Sequence, residues 1–232
     1  MGILFPPRCI SCGKVLSFDK RYESFCQECK REVSLITPPV CKKCGKKLRI
    51  PLTSVCGDCQ KTNHFYTQGK ALFLYAGPMK LAMYKLKYSN HRFMVKYFAK
   101  AAKRRYGDWI KEIGVEAILA VPMYEKKKKK RGYNQAELFG EALSKELGIH
   151  FYKDFVIRQK NTTPQKGLNF SKRNENLKNA FKLYRNIVKL NCILIVDDIY
   201  TTGATIDSVA KTLVASGVKK IYFLTICIGS DI

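Results

Sequence analysis

From Gly69 onward the chain alternates two kinds of apolar pattern. Short, nearly continuous runs read as buried strands: "GKALFLYAG" (69–77, an early strand or hairpin), "VEAILAVPM" (115–123), "CILIVDD" (192–198) and "KKIYFLTICIG" (219–229). "HFYKDFVIR" (150–158) reads as one more strand. Between them lie segments with helical spacing. "MKLAMYKLKYSNHRFMVKYFAKAAKRRYGDWI" (79–110) reads as two helices broken near Ser89 and Asn90. "YNQAELFGEALSKELG" (133–148) is an amphipathic helix closed by Gly148, and "TIDSVAKTLVASG" (205–217) a helix ending at Gly217. The lysine-rich stretch after Pro122 reads as a basic loop, and residues 160–180 as an exposed excursion. Strands alternating with helices predict an α/β fold, a mostly parallel sheet flanked by helices on both faces.

The first 60 or so residues carry no such pattern. They hold eight of the ten cysteines, in four repeats of one spacing: Cys9 and Cys12, Cys26 and Cys29, Cys41 and Cys44, Cys56 and Cys59. A Cys-x-x-Cys turn brings two thiolates to one side of a knuckle, and two knuckles complete the four-sulfur shell that zinc accepts. The pattern predicts a small double zinc ribbon over residues 1–62 with two structural zinc ions, and a larger domain over 63–232. Sequential and crossed pairing of the knuckles both satisfy the spacing; sequential pairing is the expectation. A disulfide framework suits secreted chains, and "MGILFPPRCI" has neither the basic region nor the cleavage site of a secretory signal. No run approaches the roughly 18 apolar residues of a membrane-spanning helix. The expectation is a cytoplasmic protein without membrane insertion.

Charge narrows the partners. Lys and Arg number 43 against 18 Asp and Glu, a formal net charge of +25, which favours polyanions: nucleic acid, polyphosphates or phosphosugars. Aromatics interleaved with bases, as in "RRYGDW" and "KKRGY", would suit single-stranded DNA, although helical spacing in "MVKYFAKAAKRRY" favours core packing. His64, His91 and His150 lack ligand spacing and read as surface or boundary residues.

Against this charge, "CILIVDDIYTTGAT" (192–205) sets two acids side by side at the end of an apolar run. Ligands of parallel α/β sheets bind beyond the carboxyl ends of strands, where this stretch falls. A small-residue loop entering a helix exposes backbone amides suited to a phosphate, and Gly203 permits the tight turn. The threonines add hydroxyl donors, and Asp197 and Asp198 can accept hydrogen bonds from a sugar's vicinal hydroxyls. Together they describe a ribose 5-phosphate site. Neither the Walker loop nor the dinucleotide fingerprint is present. A plain helix cap would need only one Asp, Ser or Thr.

"ILIVDDIYTTGAT" resembles the signature of type I phosphoribosyltransferases, which bind 5-phosphoribosyl 1-pyrophosphate. With the double zinc ribbon, with "VPMYEKKKKKRGYNQAELF" and with "RQKNTTPQKGLNFSKRNENLKNAF", the chain resembles the ComF family of competence-associated proteins over nearly its whole length. The resemblance implies the type I phosphoribosyltransferase fold. It implies that Asp197 and Asp198 contact the ribose hydroxyls while Thr201, Thr202, Gly203, Ala204 and Thr205 cradle the 5-phosphate. The pyrophosphate would lie near the loop after Pro122, neutralised by Arg131 and Lys130, with Tyr133, Asn134 and Gln135 starting the helix behind. Gln165 and Arg173 would close over the ligand. The run Lys126 to Lys130 replaces the family's more arginine-rich loop.

If catalytic, such a protein displaces pyrophosphate at the anomeric carbon with magnesium bridging ligand oxygens, to an acceptor the sequence does not name. The competing reading is a non-catalytic coupling or single-stranded-DNA-binding protein that senses the same ligand. The family role implied is natural transformation, on the cytoplasmic side of DNA uptake, alongside a helicase and a recombination mediator.

Overall fold

The structure, a computed structural model, describes residues 6–17, 24–48, 52–159, 180–184 and 190–230. A sheet of four parallel strands organises it: β1 (Gln68–Leu74), β2 (Ala117–Ala120), β5 (Cys192–Tyr200) and β6 (Lys220–Ile228), in the order β1-β6-β5-β2. Helices α3 (Gly77–Tyr88), α4 (Met94–Glu112), α6 (Gln135–Leu147) and α7 (Ala204–Ala215) pack around it. Ile193 to Val196 are fully buried, because both faces of β5 are covered.

Strand periodicity sorts these side chains into two cores. Leu194, Val196 and Leu224 join Phe98 of α4 and Phe139 and Leu143 of α6 on one face. Ile193, Ile195, Ile221 and Phe223 join Ile206, Val209 and Leu213 of α7 on the other. The aromatics of α4 follow helical spacing into the core: Phe98 is buried, and Tyr106, half-buried, donates its hydroxyl to Ala71 O at 2.7 Å.

The knuckles pair sequentially. Cys9, Cys12, Cys26 and Cys29 form one tetrad and Cys41, Cys44, Cys56 and Cys59 a second, with short helices α1 (Gln27–Glu32) and α2 (Gly57–Lys61) carrying the later knuckles. The ribbons straddle the sheet. Cys9, Ile10, Phe25 and Cys26 belong to the first core, and Cys41, Cys44 and Cys56 to the second. The segment joining them runs along the outer edge of β1, where Ile36 N–H donates to Leu72 O at 3.2 Å and Leu74 N–H to Ser34 O at 2.9 Å. That edge is thereby covered rather than left open.

Three expectations change. The basic loop is a helix, α5 (Glu125–Arg131), whose first-turn glutamate and last-turn cations complement the helix dipole and whose Gly132 (φ 85) ends it. "HFYKDFVIR" is not one strand: Asp154 (φ 58) interrupts it, Phe151 only bridges Ile118, and β3 (Val156–Arg158) pairs antiparallel with β4 (Phe181–Leu183) in a separate small sheet. β5 does not stop at the acids but continues through them to Tyr200, paired with Ile228. Of the 160–180 excursion only Ala180 is described, and it is buried.

Candidate functional site

β5 carries its two acids beyond the fully buried part of the sheet. Alternation sends Asp197 to the side of Ile193 and Ile195 and Asp198 to the side of Leu194 and Val196. Neighbours in sequence thus leave the strand on opposite sides, and Lys87 acts on both. Asp198 Oδ2 lies 2.8 Å from Lys87 Nζ on the last turn of α3, with side chains only 15% and 22% exposed. Asp197 Oδ1 accepts the Asp198 N–H at 2.8 Å, and Asp197 interacts electrostatically with Arg158 of β3.

Burial, and then the charge of Asp198, hold the Asp197 carboxyl well above the usual carboxylate range, against the pull of the Asp198 N–H and Lys87. Burial works against the charge on Lys87, but Asp198 and Asp197 outweigh it and raise its pKa. Lys127 of α5 is depressed by burial and by Arg131, Arg158 and Lys87, with Asp198 opposing. Cations from α3, α5 and β3 therefore converge on one acid pair.

Arg131 donates to Gln135 Oε1 at 2.7 Å and lies 5.1 Å over the Tyr88 ring. Asn134 caps α6, its side-chain oxygen accepting from Ala136 N–H at 3.1 Å while its amide donates to Val121 O at 2.9 Å. Tyr133 donates to Leu86 O at 2.6 Å. These contacts hold α3, the end of β2 and the start of α6 together behind Arg131. Lys128 is bound to Glu137 at 2.8 Å, and Lys130 is exposed on the last turn of α5.

On the far side of the acids the chain turns through Thr201 and Thr202 into α7. Gly203 (φ 84) is the residue before the helix, and a Cβ there would lie 2.5 Å from the Tyr200 hydroxyl oxygen. Only glycine fits this turn. Gly203 and Ala204 are buried, Thr205 half-buried and Thr201 exposed. Thr202 Oγ1 is buried without a hydrogen-bond partner, beside first-turn amides that no helical carbonyl can satisfy. Gln165 and Arg173 lie outside the described residues.

Lys87, Lys127 as the member of its run that interacts with Asp198, and Arg158 are residues that sequence reasoning missed; nothing in their local spacing sets them apart. His64 falls on the boundary side of its surface-or-boundary reading: the residue is half-buried, while its side chain is 1% exposed and pairs with Asp207 in the first turn of α7.

Both cysteine tetrads pass a geometric test for zinc. Thiolates on one zinc at about 2.3 Å stand roughly 3.8 Å apart in a tetrahedron. Cys12 and Cys26 Sγ are 3.7 Å apart, Cys44 and Cys56 Sγ 3.6 Å, and within each tetrad all four Sγ lie within 4.8 Å of one another. The donor set fits one structural zinc in each.

The double zinc ribbon domain model matches residues 1–60. Competence protein F of Haemophilus influenzae is 31% identical over 223 residues, covering 92% of this chain and 93% of that protein. The chain belongs to the ComF family of competence proteins. Competence protein ComFC of Bacillus subtilis is 24% identical over 229 residues, 90% of this chain and 89% of its own. DNA utilization protein YhgH of Escherichia coli K12 is 26% identical over 175 residues, 74% of this chain and 77% of its own. An adenine phosphoribosyltransferase of known structure superposes on 60% of this ComF chain and 73% of its own, at TM-score 0.39 and 16% identity. Family membership and the parallel sheet agree with the fold expected from the signature. Among the described residues no helix is long and apolar enough to cross a membrane.

Proposed function

We propose that this ComF protein binds 5-phosphoribosyl 1-pyrophosphate at the carboxyl end of β5, in the service of DNA uptake on the cytoplasmic side of the membrane. The observation that carries the reading is the Thr202 hydroxyl, buried and unpartnered beside the free first-turn amides of α7, immediately after an acid pair ringed by cations. An unpaired buried hydroxyl costs about 1–3 kcal/mol. A phosphate accepting from Thr202, the amides and the Thr201 and Thr205 hydroxyls would remove that cost.

In this reading Asp197 and Asp198 accept from the ribose hydroxyls. Arg131 and Lys130 were the expected partners of the pyrophosphate; Lys127 and Lys87, which interact with Asp198, are the better placed lysines. Gln165 and Arg173 keep their proposed role in closing over the ligand. Among the described residues the only clusters of three or more metal-ligating side chains are the cysteine tetrads. Magnesium would therefore arrive with the pyrophosphate, where it would offset leaving-group charge, and the carboxylates of Asp197 and Asp198 are the donors the chain could add. The cations around the acid pair would hold the pyrophosphate as the bond to the anomeric carbon loosens, a task of electrostatics needing no side-chain nucleophile. Residues 1–62 act in this proposal as the zinc module and 63–232 as the ligand-binding domain.

Isothermal calorimetry with 5-phosphoribosyl 1-pyrophosphate and magnesium tests the site. The wild type should bind, and Asp197→Ala with Asp198→Ala should lose binding. No binding by the wild type, or undiminished binding by the variant, rejects the assignment. Magnesium-dependent pyrophosphate release then separates a transferase from a ligand-sensing coupler, the reading favoured by the +25 charge and the competence and DNA-utilization names of its relatives.

A further inference from the structure

A short strap links the second zinc ribbon to the loop before α7. Downstream of Cys59, the His64 ring pairs through Nδ1 with the Asp207 carboxylate, and Phe65 N–H donates to the other oxygen of Asp207 at 3.0 Å. The Tyr66 ring stacks on His64 at 4.6 Å, and its hydroxyl meets that of Tyr200 at 2.9 Å. Both ends reach the loop. Asp207 donates its N–H to Gly203 O at 2.8 Å, closing the first turn of α7. The Tyr200 hydroxyl oxygen is the atom that a Cβ on Gly203 would strike, at 2.5 Å, so it lies directly beneath the left-handed turn.

Of the two ribbons only the second meets the near end of the strap, which β6 holds as well: Tyr66 meets the Phe223 ring edge-on at 4.8 Å, and Thr67 N–H donates to Ile221 O at 2.6 Å. Tyr66, 1% exposed, packs in the same core as Cys41, Cys44 and Cys56, and Lys43 Nζ lies 5.3 Å over its ring. The first tetrad belongs to the core on the opposite face of the sheet.

We infer that His64 and Tyr66 are positioning residues for the phosphate loop, and that through them the loop's geometry depends on the second cysteine tetrad and not on the first. Gly203 has no side chain of its own to hold a positive-φ turn, so the turn is defined by what lies beneath it. Without the Tyr66 hydroxyl, the buried Tyr200 hydroxyl beneath Gly203 is left without its partner, and the turn it supports is destabilised. Without the His64–Asp207 contact, the first turn of α7 loses its tie to the ribbon. In either case the turn over 201–206 is held less firmly and its amides open more often. The effect on a ligand rests on the proposed sugar-phosphate site; the effect on the loop does not.

Hydrogen exchange of the full-length, zinc-loaded chain reads the loop directly. Tyr66→Phe, which removes one oxygen, should speed exchange of amides 201–206 about fivefold, the scale of one lost buried hydrogen bond. Cys56→Ser should do at least as much, and Cys26→Ser should leave these amides within about twofold of wild type. Ribose 5-phosphate, as the probe, should bind Tyr66→Phe more weakly by a similar factor, with Cys26→Ser unaffected. Unchanged exchange in Tyr66→Phe, or equal acceleration by Cys26→Ser, overturns the coupling. If exchange responds as expected while ribose 5-phosphate fails to bind even the wild type, the coupling stands and the ligand assignment falls.

Discussion

Asp197 is a carboxyl group held where burial and a neighbouring acid both disfavour its charge. Asp197→Asn keeps its shape and removes that conflict, so the variant should unfold at higher denaturant, by about 1–2 kcal/mol at pH 7, while losing ligand. The sign with pH follows from the raised pKa. The folded wild type takes up this proton more readily than the unfolded chain, so its Asp197 penalty is present above the folded pKa and fades as pH falls through it. The advantage of the variant should fade likewise in denaturation series run from neutral to acidic pH. The acids and the threonine turn stand out in the sequence because their chemistry is contiguous. Lys87, Arg158 and His64 do not, because each reaches the site from another element: Lys87 from α3, Arg158 from β3 and His64 from the strap, with an Asp207 partner 143 residues away in sequence. No local spacing announces such a pair.

At the scale of elements, long periodic segments and continuous apolar runs were read correctly, since burial on one or two faces writes itself into the pattern. The errors fell where local chemistry competes with pattern. A run of lysines has good helix propensity, yet its charge suggested a basic loop; the propensity wins, and Gly132, whose N–H donates to Lys128 O, closes the helix. Asp154 in the left-handed region broke a run that alternation alone would have kept as a strand. The turn from β5 into α7 is the most constrained junction. Gly203→Ala should cost about 1–3 kcal/mol in urea denaturation, from the positive φ and the collision with the Tyr200 hydroxyl. Adding Tyr200→Phe should recover only part of that cost, since the conformational strain remains.

Across the whole molecule the cysteines bind more than a local module. Each ribbon supplies part of a different core, so elemental analysis should find two zinc ions per chain, and chelation should loosen packing on both faces of the sheet rather than release a detached N-terminal tail. Near-ultraviolet dichroism before and after chelation checks this; an unchanged aromatic spectrum would contradict it. The spacing of the cysteines told where the metal binds, but not that the ribbons straddle a sheet, because that depends on the edge of β1 and on contacts remote in sequence. The strand order carries one more consequence. β6, last of the strands to be synthesised, sits between β1 and β5, and Thr67 meets Ile221 across 154 residues. Until β6 emerges from the ribosome, β1 and β5 lack the strand that hydrogen-bonds to both, and the sheet that the ribbons straddle cannot close over their eight thiols. Early capture of zinc would keep those thiols from oxidation and mispairing during the interval.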